Sequence, residues 1–387
     1  MDEVRIVEAD DELWGRYAVL AERAYGHPVQ DIALLGPHAD RRVALRGGQV
    51  IAGGMGLLVP QYFGGRPVPA VSMACGCVAP EERGRRLAAR LAAERLRAVR
   101  ERGAVVASLW TASTGYAARL GWAAPARVFS YTVPTGALAG AFTGAGFEIA
   151  HAPSADGVRD EWAARWNGPW QRPAWWDGWQ TSRHPGLATY TLARPGQAAR
   201  AVVSVTAGRG PGGERQLVVQ DMWADDPAAA GAAFAFLGRH HSRIPTVTLA
   251  RTGLPPAPFL DRLSHAAAVT ARTWHPWMLR ILDLKRAVLL RGWPEHVELE
   301  LPVEVVTEPG DGTDRYTLRV SSGTGVLEPT IREGLVTLSR GQFAVWYAGG
   351  YRSTAAALLD GIRGHPAAVA RLLAATGERE PWLADYF

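Results

Sequence analysis

Cysteine is nearly missing from this sequence: among 387 residues the only two thiols are Cys75 and Cys77. One such pair in a chain of this size does not make a disulfide scaffold. On a single strand the two positions share a face about 6.6–6.8 Å apart, at the edge of disulfide reach and poorly aimed. No histidine pair lies nearby to complete a four-ligand zinc site, so no metal is expected and buried thiols are the simpler reading. Lysine is scarcer still. Lys285 stands alone, and arginine carries the rest of a net charge of +5. Outside residues 83–102 the basic side chains form no long run, which argues against a nucleic-acid partner. No apolar stretch approaches the roughly 20 residues that cross a bilayer, so no membrane association is expected. The opening MDEVRIVEADDELW lacks a charged-then-apolar leader, so no secretory signal is expected and the expected location is cytoplasmic.

What is present fits a globular protein of two or three domains, with 48% hydrophobic and 20% charged residues. Residues 4–9 read as a strand and 11–25 as a helix. Three apolar runs, 42–46, 49–59 and 68–78, are separated by Gly47-Gly48 and Gly64-Gly65 and read as an antiparallel meander. A helix over 84–102 follows, with Leu87, Leu91, Leu96 and Val99 at helical spacing, Arg90, Glu94, Arg97 and Glu101 on the opposite face, and Gly103 as its C-cap. A buried strand (104–110), a short helix (114–120) and a last strand (126–133) close the first unit. Residues 134–146, rich in Gly, Ala and Thr, read as a linker. A second unit with strands near 188–193, 200–207, 215–223 and 245–250 and a helix near 227–240 echoes the first. A third begins near Leu284.

Three segments carry chemistry. At 74–91, ACGCVAPEERGRRLAARL is a strand-turn-helix of the kind that holds a pyrophosphate: helix-start amides point at the phosphates and the dipole favours their charge. The cofactor-binding candidates are Gly76, Cys77 and Val78 on the strand, then Arg83, Gly84, Arg85, Arg86, Leu87 and Ala88. Arg86 stands where the usual Arg/Gln-x-x-Gly-x-Gly/Ala pattern has its first glycine, which lets backbone approach phosphate closely. Arg86 either adds a charge-assisted contact or blocks the turn. At 108–122, SLWTASTGYAARLGW, Tyr116 is the candidate acid for a departing thiolate. Counting back from Arg119 and Gly121, however, the tyrosine slot is Ala117, and a core-facing Tyr116 is an equal reading. Finally, the chain closes on aromatics, so its last residues are expected to dock rather than fray.

The motifs, taken in order, resemble the enhanced-intracellular-survival (Eis) family of GNAT N-acetyltransferases. They are Val78-Ala79-Pro80 with the arginine-rich turn, Arg119-Leu120-Gly121-Trp122, Trp166 with Arg172-Pro173 and Trp176-Asp177, Trp277-Met278-Leu279-Arg280-Ile281 opening the third domain, Tyr347-Ala348-Gly349-Gly350-Tyr351-Arg352-Ser353-Thr354, and Phe387. The resemblance implies an α+β fold of two tandem GNAT-like domains, 1–133 with the acetyl-CoA site and a degenerate 134–285, followed by a sterol-carrier-protein-like domain, 286–387. It implies acetyl-CoA as cosubstrate, a small-molecule amine as acceptor, aminoglycosides included, and a homo-oligomer, commonly a hexamer. It also implies that the carboxylate of Phe387 is the general base. A free α-carboxylate is a weak base, and burial strengthens it. The competing reading is an aromatic tail that only seals the domain.

The expected activity is therefore acetyl transfer to a primary amine. The alternative is a diverged scaffold that binds a ligand, or does other chemistry, in an aromatic-lined pocket. The six tryptophans Trp162, Trp166, Trp170, Trp175, Trp176 and Trp179 serve either as that wall or, by the preferred reading, as packing at a domain or subunit interface.

Overall fold

The structure is a computed structural model, and it describes residues 3–152, 158–250, 261–263, 268–274, 276–306 and 312–387. The first domain runs β1 (Arg5–Glu8), α1 (Asp11–Tyr25), α2 (Gln30–Leu35), β2 (Asp40–Arg46), β3 (Gln49–Leu58), a β4–β5 hairpin (Gln61–Phe63, Arg66–Val68), β6 (Ala70–Val78), α3 (Leu87–Glu101), β7 (Val106–Trp110) and α4 (Thr114–Arg119). Local chemistry sets these limits. Asp10 caps α1 by accepting the Leu13 amide at 2.9 Å, and Gly26, at φ 80°, takes the left-handed step that ends it. Trp14, Tyr17, Leu20 and Ala21 recur at helical spacing and are the buried side of α1.

The second domain runs β8 (Phe129–Pro134), α5 (Thr135–Ala141), β9 (Glu148–Ala152), α6 (Val158–Ala163), α7 (Trp176–Arg183), β10 (Ala188–Ala193), β11 (Ala199–Arg209), β12 (Arg215–Ala224), α8 (Pro227–Gly238), β13 (Thr246–Ala250) and β14 (Thr270–Thr273). After β15 (Trp277–Ile281) the third domain follows: α9 (Leu284–Leu290), β16 (Leu299–Val306), β17 (Thr313–Ser321), β18 (Thr324–Pro329), β19 (Val336–Ser339), α10 (Arg340–Tyr347), α11 (Thr354–Leu359), β20 (Arg363–Gly364) and α12 (Pro366–Ala374). Among the described residues no helix is long and apolar enough to cross a membrane.

The sheets correct three expectations. The strand near 126–133 does not close the first unit: β8 pairs antiparallel with β13 and β14 in the second sheet, because Val133 and its neighbour Tyr131 face that domain's own core. Its place in the first sheet is taken by β15, which was expected to open the third domain and instead pairs antiparallel with β7, Trp277 opposite Trp110. The first sheet therefore reads β1-β2-β3-β6-β7-β15 and the second β14-β8-β13-β12-β11-β10-β9. Third, the expected linker 134–146 contains the helix α5. Its small residues allow close contact with α8: a Cβ on Gly238 would lie 2.6 Å from the Ala139 nitrogen.

The second domain keeps a separate core between its sheet and α5 and α8. The first and third domains share one, which runs from Trp14 and Phe63 through Trp170 and Trp176 to Phe343, Trp346 and Phe387. Phe63 and Tyr347 meet across that seam with ring centroids 4.9 Å apart.

Candidate functional site

Strands β6 and β7 run parallel only from Ala70 to Ser72, opposite Val106 to Ser108. Beyond Ser72 they separate. The β3–β6 pairing slips a register between Gly53 and Met55, and Cys75 there adopts φ 48°, a left-handed conformation that marks a bulge. The edge of β6 that faces β7 is thereby freed from Met73 onward, and this edge holds Gly76, Cys77 and Val78. The tyrosines of α1 support it from one side. Tyr17 donates its hydroxyl to the Cys75 carbonyl, and Tyr25 donates to the Gly76 carbonyl at 3.0 Å. Arg95 of α3 lies behind it, fully buried, with Nη2 donating to the Met55 carbonyl and, at 3.1 Å, to that of Ala74. Gly54 makes room for this guanidinium, since a Cβ there would lie 2.4 Å from Nη1. Cys75 and Cys77 are free and half-buried; burial pushes the Cys75 thiol up to about 12 and raises Cys77 as well, so neither is a ready nucleophile.

The arginine-rich turn follows. Helix α3 starts at Leu87 rather than near Gly84, because Gly84 and Arg86 both take positive φ, 80° and 57°. Arg86 thus adopts the conformation that the pattern's glycine supplies. As N-cap it offers no side-chain acceptor, so the first amides of α3 are left for an outside acceptor. Around the turn, Arg83 donates to the Ala24 carbonyl at 3.2 Å, and Arg85 pairs with Glu82 at 3.1 Å. Leu87 is buried and Ala88 exposed.

Tyr116 stands apart. It is 39% exposed on α4, with its ring against the Arg119 guanidinium at 6.0 Å, while Ala117, in the tyrosine slot, is buried. Partial burial raises the Tyr116 hydroxyl above its ordinary value.

The last residues dock, as their aromatic content suggests. The Trp382 amide donates to the Asn167 carbonyl at 2.8 Å, and the Asn167 amide to that of Glu380 at 3.0 Å. Asp385 is fully buried and accepts from Arg159 Nη2 at 2.9 Å, Arg172 Nε at 2.8 Å and the Trp170 amide at 2.8 Å. Burial alone would raise its pKa; the two guanidinium groups and the amide outweigh that and hold it below the ordinary carboxylate range. Trp110 Nε1 donates to the Asp385 carbonyl at 2.9 Å, and Arg183 Nη1 to that of Tyr386 at 3.0 Å. Phe387 is buried and stacks on Trp170, with centroids 4.9 Å apart at 21°. The tryptophan cluster is therefore chiefly packing between domains: Trp170, Trp176 and Trp179 join the shared core, and Trp170 grips the tail.

Between α7, the tail and the second sheet lies a cavity of about 650 Å³. On β12, Gln216, Val218 and Gln220 face it while Leu217 and Val219 face the core, the period of two that a half-buried strand requires. Ser130, Thr189, Ser204 and Thr248 continue this uncharged, hydrogen-bonding wall. Opposite stand Arg172, Trp176, Arg183 and Tyr386. Arg172 is paired with Asp221 and Asp385, and Arg183 with Asp31 of α2 at 3.3 Å. Ala384 and Tyr386 of the tail line the cavity, and Arg183 of α7 holds the Tyr386 carbonyl there.

The β6 edge and the turn adjoin in the fold as they do in the sequence, but the elements that support them, Tyr17, Tyr25 and Arg95, were not among the candidates drawn from the sequence. Arg95 was detectable, since it falls four residues after Leu91 and four before Val99, on the apolar stripe of α3. Asp385 was detectable as an acid flanked by Leu383-Ala384 and Tyr386-Phe387.

Comparison with known proteins finds three domain matches in succession along the chain. Residues 4–124 and 168–281 each match a family described as an acetyltransferase (GNAT) domain, and residues 284–384 match the sterol carrier protein domain. A Streptomyces avermitilis protein named as an uncharacterized N-acetyltransferase is 29% identical over 358 residues, 84% of this chain and 82% of that one. A GCN5-related N-acetyltransferase from Anabaena variabilis shares the fold over 100% of both chains at a TM-score of 0.87 and 21% identity. One from Kribbella flavida does so over 100% of this chain and 99% of its own at 0.82 and 24%. Eis1 from Mycobacterium abscessus superposes over 100% of both chains at 0.75 and 18%.

Proposed function

Because this chain joins two GNAT acetyltransferase domains to a sterol carrier protein domain, we propose that it transfers the acetyl group of acetyl-CoA to a primary amine of a small molecule. The observation that carries the reading is the open β6 edge leading straight into an uncapped helix start, with Arg86 in the left-handed conformation at the turn. On this reading the pantetheine arm lies along Gly76–Val78 and the pyrophosphate meets the amides and arginines of 83–88. Backbone N–H groups of the strand polarise the thioester carbonyl.

The acceptor amine enters from the cavity and attacks that carbonyl. The Phe387 carboxylate takes the proton from nitrogen, and the C–S bond breaks to release the coenzyme thiolate. Tyr116 is the proposed acid for that thiolate. The Ser/Thr/Gln wall suits an acceptor whose body is hydrogen-bonding, and the two lining carboxylates, Asp177 and Asp221, are matched in number by Arg172 and Arg183, so no excess of acid faces a polycation such as an aminoglycoside. Membership of the Eis family, a homo-oligomeric ring and a cytoplasmic location complete the proposal. The fold shared with Eis1 and the docked aromatic tail support the family assignment.

One observation favours a second reading. Tyr116 is exposed beside Arg119, and a buried alanine fills the tyrosine slot. A scaffold that binds its ligand in the cavity without acetyl transfer fits that arrangement.

Calorimetric titration with acetyl-CoA separates the two. Micromolar binding is expected, followed by turnover with amines that is lost when one residue is added after Phe387 while folding and acetyl-CoA affinity persist. Failure to bind acetyl-CoA sinks the transferase reading; full turnover in the extended protein removes the carboxylate from the mechanism.

A further inference from the structure

Arg291 follows α9 and is 2% exposed. A guanidinium taken so far from water is ordinarily matched by a carboxylate, since an uncompensated buried charge is strongly unfavourable. Among the described residues none pairs with it. Its Nε donates to the Gly292 carbonyl at 3.1 Å and its Nη1 to the Tyr347 carbonyl; Nη2 has no hydrogen-bond acceptor among the described residues. Trp293 and Tyr347 present their ring faces to the guanidinium carbon at 4.5 and 4.9 Å. The charged group that acts on it is a second cation, Arg379, and burial pushes the Arg291 pKa down to about 10.

Beside Arg291 is a cavity of about 20 Å³, whose lining includes Gly64, Gly292, Thr376 and Arg379. That is room for one water-sized sphere. Its walls come from the first and third domains and are built to close tolerance. Gly64, at φ 60°, would place a Cβ 1.9 Å from the Gly292 carbonyl oxygen, so no larger residue fits. Glu378 also borders the cavity but forms no ion pair with either arginine.

We propose that this cavity binds one monatomic anion, chloride in physiological media, held by Arg291 with Arg379 as the second cation. Two guanidinium groups supply the charge and the free Nη2 supplies a charge-assisted donor. The volume admits an ion of halide size. The site lies at the root of the docked tail. The Arg379 carbonyl accepts from Asn167 Nδ2 at 3.0 Å, and the Glu380 carbonyl accepts from the Asn167 amide immediately after it. The anion thus fastens the first domain, the third domain and the start of the tail at one point.

The test uses the whole chain. Melting is followed in sodium chloride and in sodium gluconate at matched ionic strength, and crystals grown in bromide are examined by anomalous diffraction. Expected are a saturable, halide-specific rise in Tm of about 2 °C at tenfold excess over Kd and a bromide peak within hydrogen-bond reach of Arg291 Nη2. In Arg291→Met both should vanish. Should that variant misfold, Arg379→Gln should reduce the halide increment at least threefold. Equal melting in the two salts, or no bromide peak at Nη2, overturns the proposal and leaves water as the occupant; a peak without a Tm response marks adventitious binding and overturns it equally.

Discussion

Arg172 Nε and Asp385 Oδ1 lie 2.8 Å apart across 213 residues of sequence, and the same guanidinium also reaches Asp221. Asp385 in turn accepts from Arg159, so one fully buried carboxylate holds two arginines and the chain's last turn together. Replacing it by alanine leaves two buried cations short of a partner. Asp385→Ala is expected to destabilise the protein by about 3–5 kcal/mol in urea unfolding and to abolish turnover. A loss below about 1 kcal/mol would show that the tail is held by its aromatic contacts alone.

The same carboxylate gives a signed pH dependence. Its folded pKa lies below the ordinary value. Its stabilisation is therefore fully present above the unfolded pKa of about 3.9 and is lost only as pH falls through the lower folded value. The stability gap between wild type and Asp385→Asn is expected to stay constant from neutral pH down to mildly acidic pH and to narrow below about pH 4. Urea midpoints across that range measure it; narrowing that begins near neutrality would assign the effect to another group.

Arg86 holds φ 57° where glycine is at ease. Arg86→Gly relieves that strain, worth about 1 kcal/mol, and should raise Tm while weakening acetyl-CoA binding less than tenfold. Arg86→Glu puts a like charge against the phosphates, and the acetyl-CoA KM should rise at least tenfold. If Arg86→Glu binds as well as wild type, the turn does not meet phosphate.

Gly54→Ala places a methyl 2.4 Å from Arg95 Nη1, and Arg95 is pinned by the Met55 and Ala74 carbonyls. A loss of about 1–3 kcal/mol is expected, with weakened acetyl-CoA binding as the β6 bulge shifts. Gly15→Ala in α1 is the control: nothing lies within 4 Å of the new methyl, and helix propensity should raise stability by about 0.5–1 kcal/mol. Equal melting temperatures for the two variants would remove Arg95 from its supporting role.

Gly238→Ala tests the helix that composition concealed. Its methyl would meet Ala139 backbone at 2.6 Å, and backbone cannot swing aside. Destabilisation of about 1–3 kcal/mol is expected in thermal melts; a neutral effect would mean that α5 yields as a true linker would.

Strands and helices with one apolar face were legible because their period is local. β12 alternates Gln216, Leu217, Val218, Val219 and Gln220, and α1 repeats Trp14, Tyr17 and Ala21. Helix α5 was not, since Gly, Ala and Thr have no apolar period and its burial is imposed by α8. β18 escaped because Ser322-Gly323, which turns β17 back with φ 49° and 71°, sits in a polar stretch that reads as loop. At the site, the turn announced itself through adjacent residues. The clasp of Asp385, Arg159 and Arg172 did not, because its members are brought together only by the fold.

The partnership of β15 with β7 has a consequence for how the chain is made. β7 ends at Trp110 and β15 begins at Trp277, so the whole second sheet must be synthesised before the first acquires its last strand. At translation rates of about 5–20 residues per second, the nascent protein carries an unprotected β7 edge for on the order of ten seconds or more. During that interval the first domain is sticky in the manner of any open sheet. Severing the gene between the two acetyltransferase units would make that temporary exposure permanent.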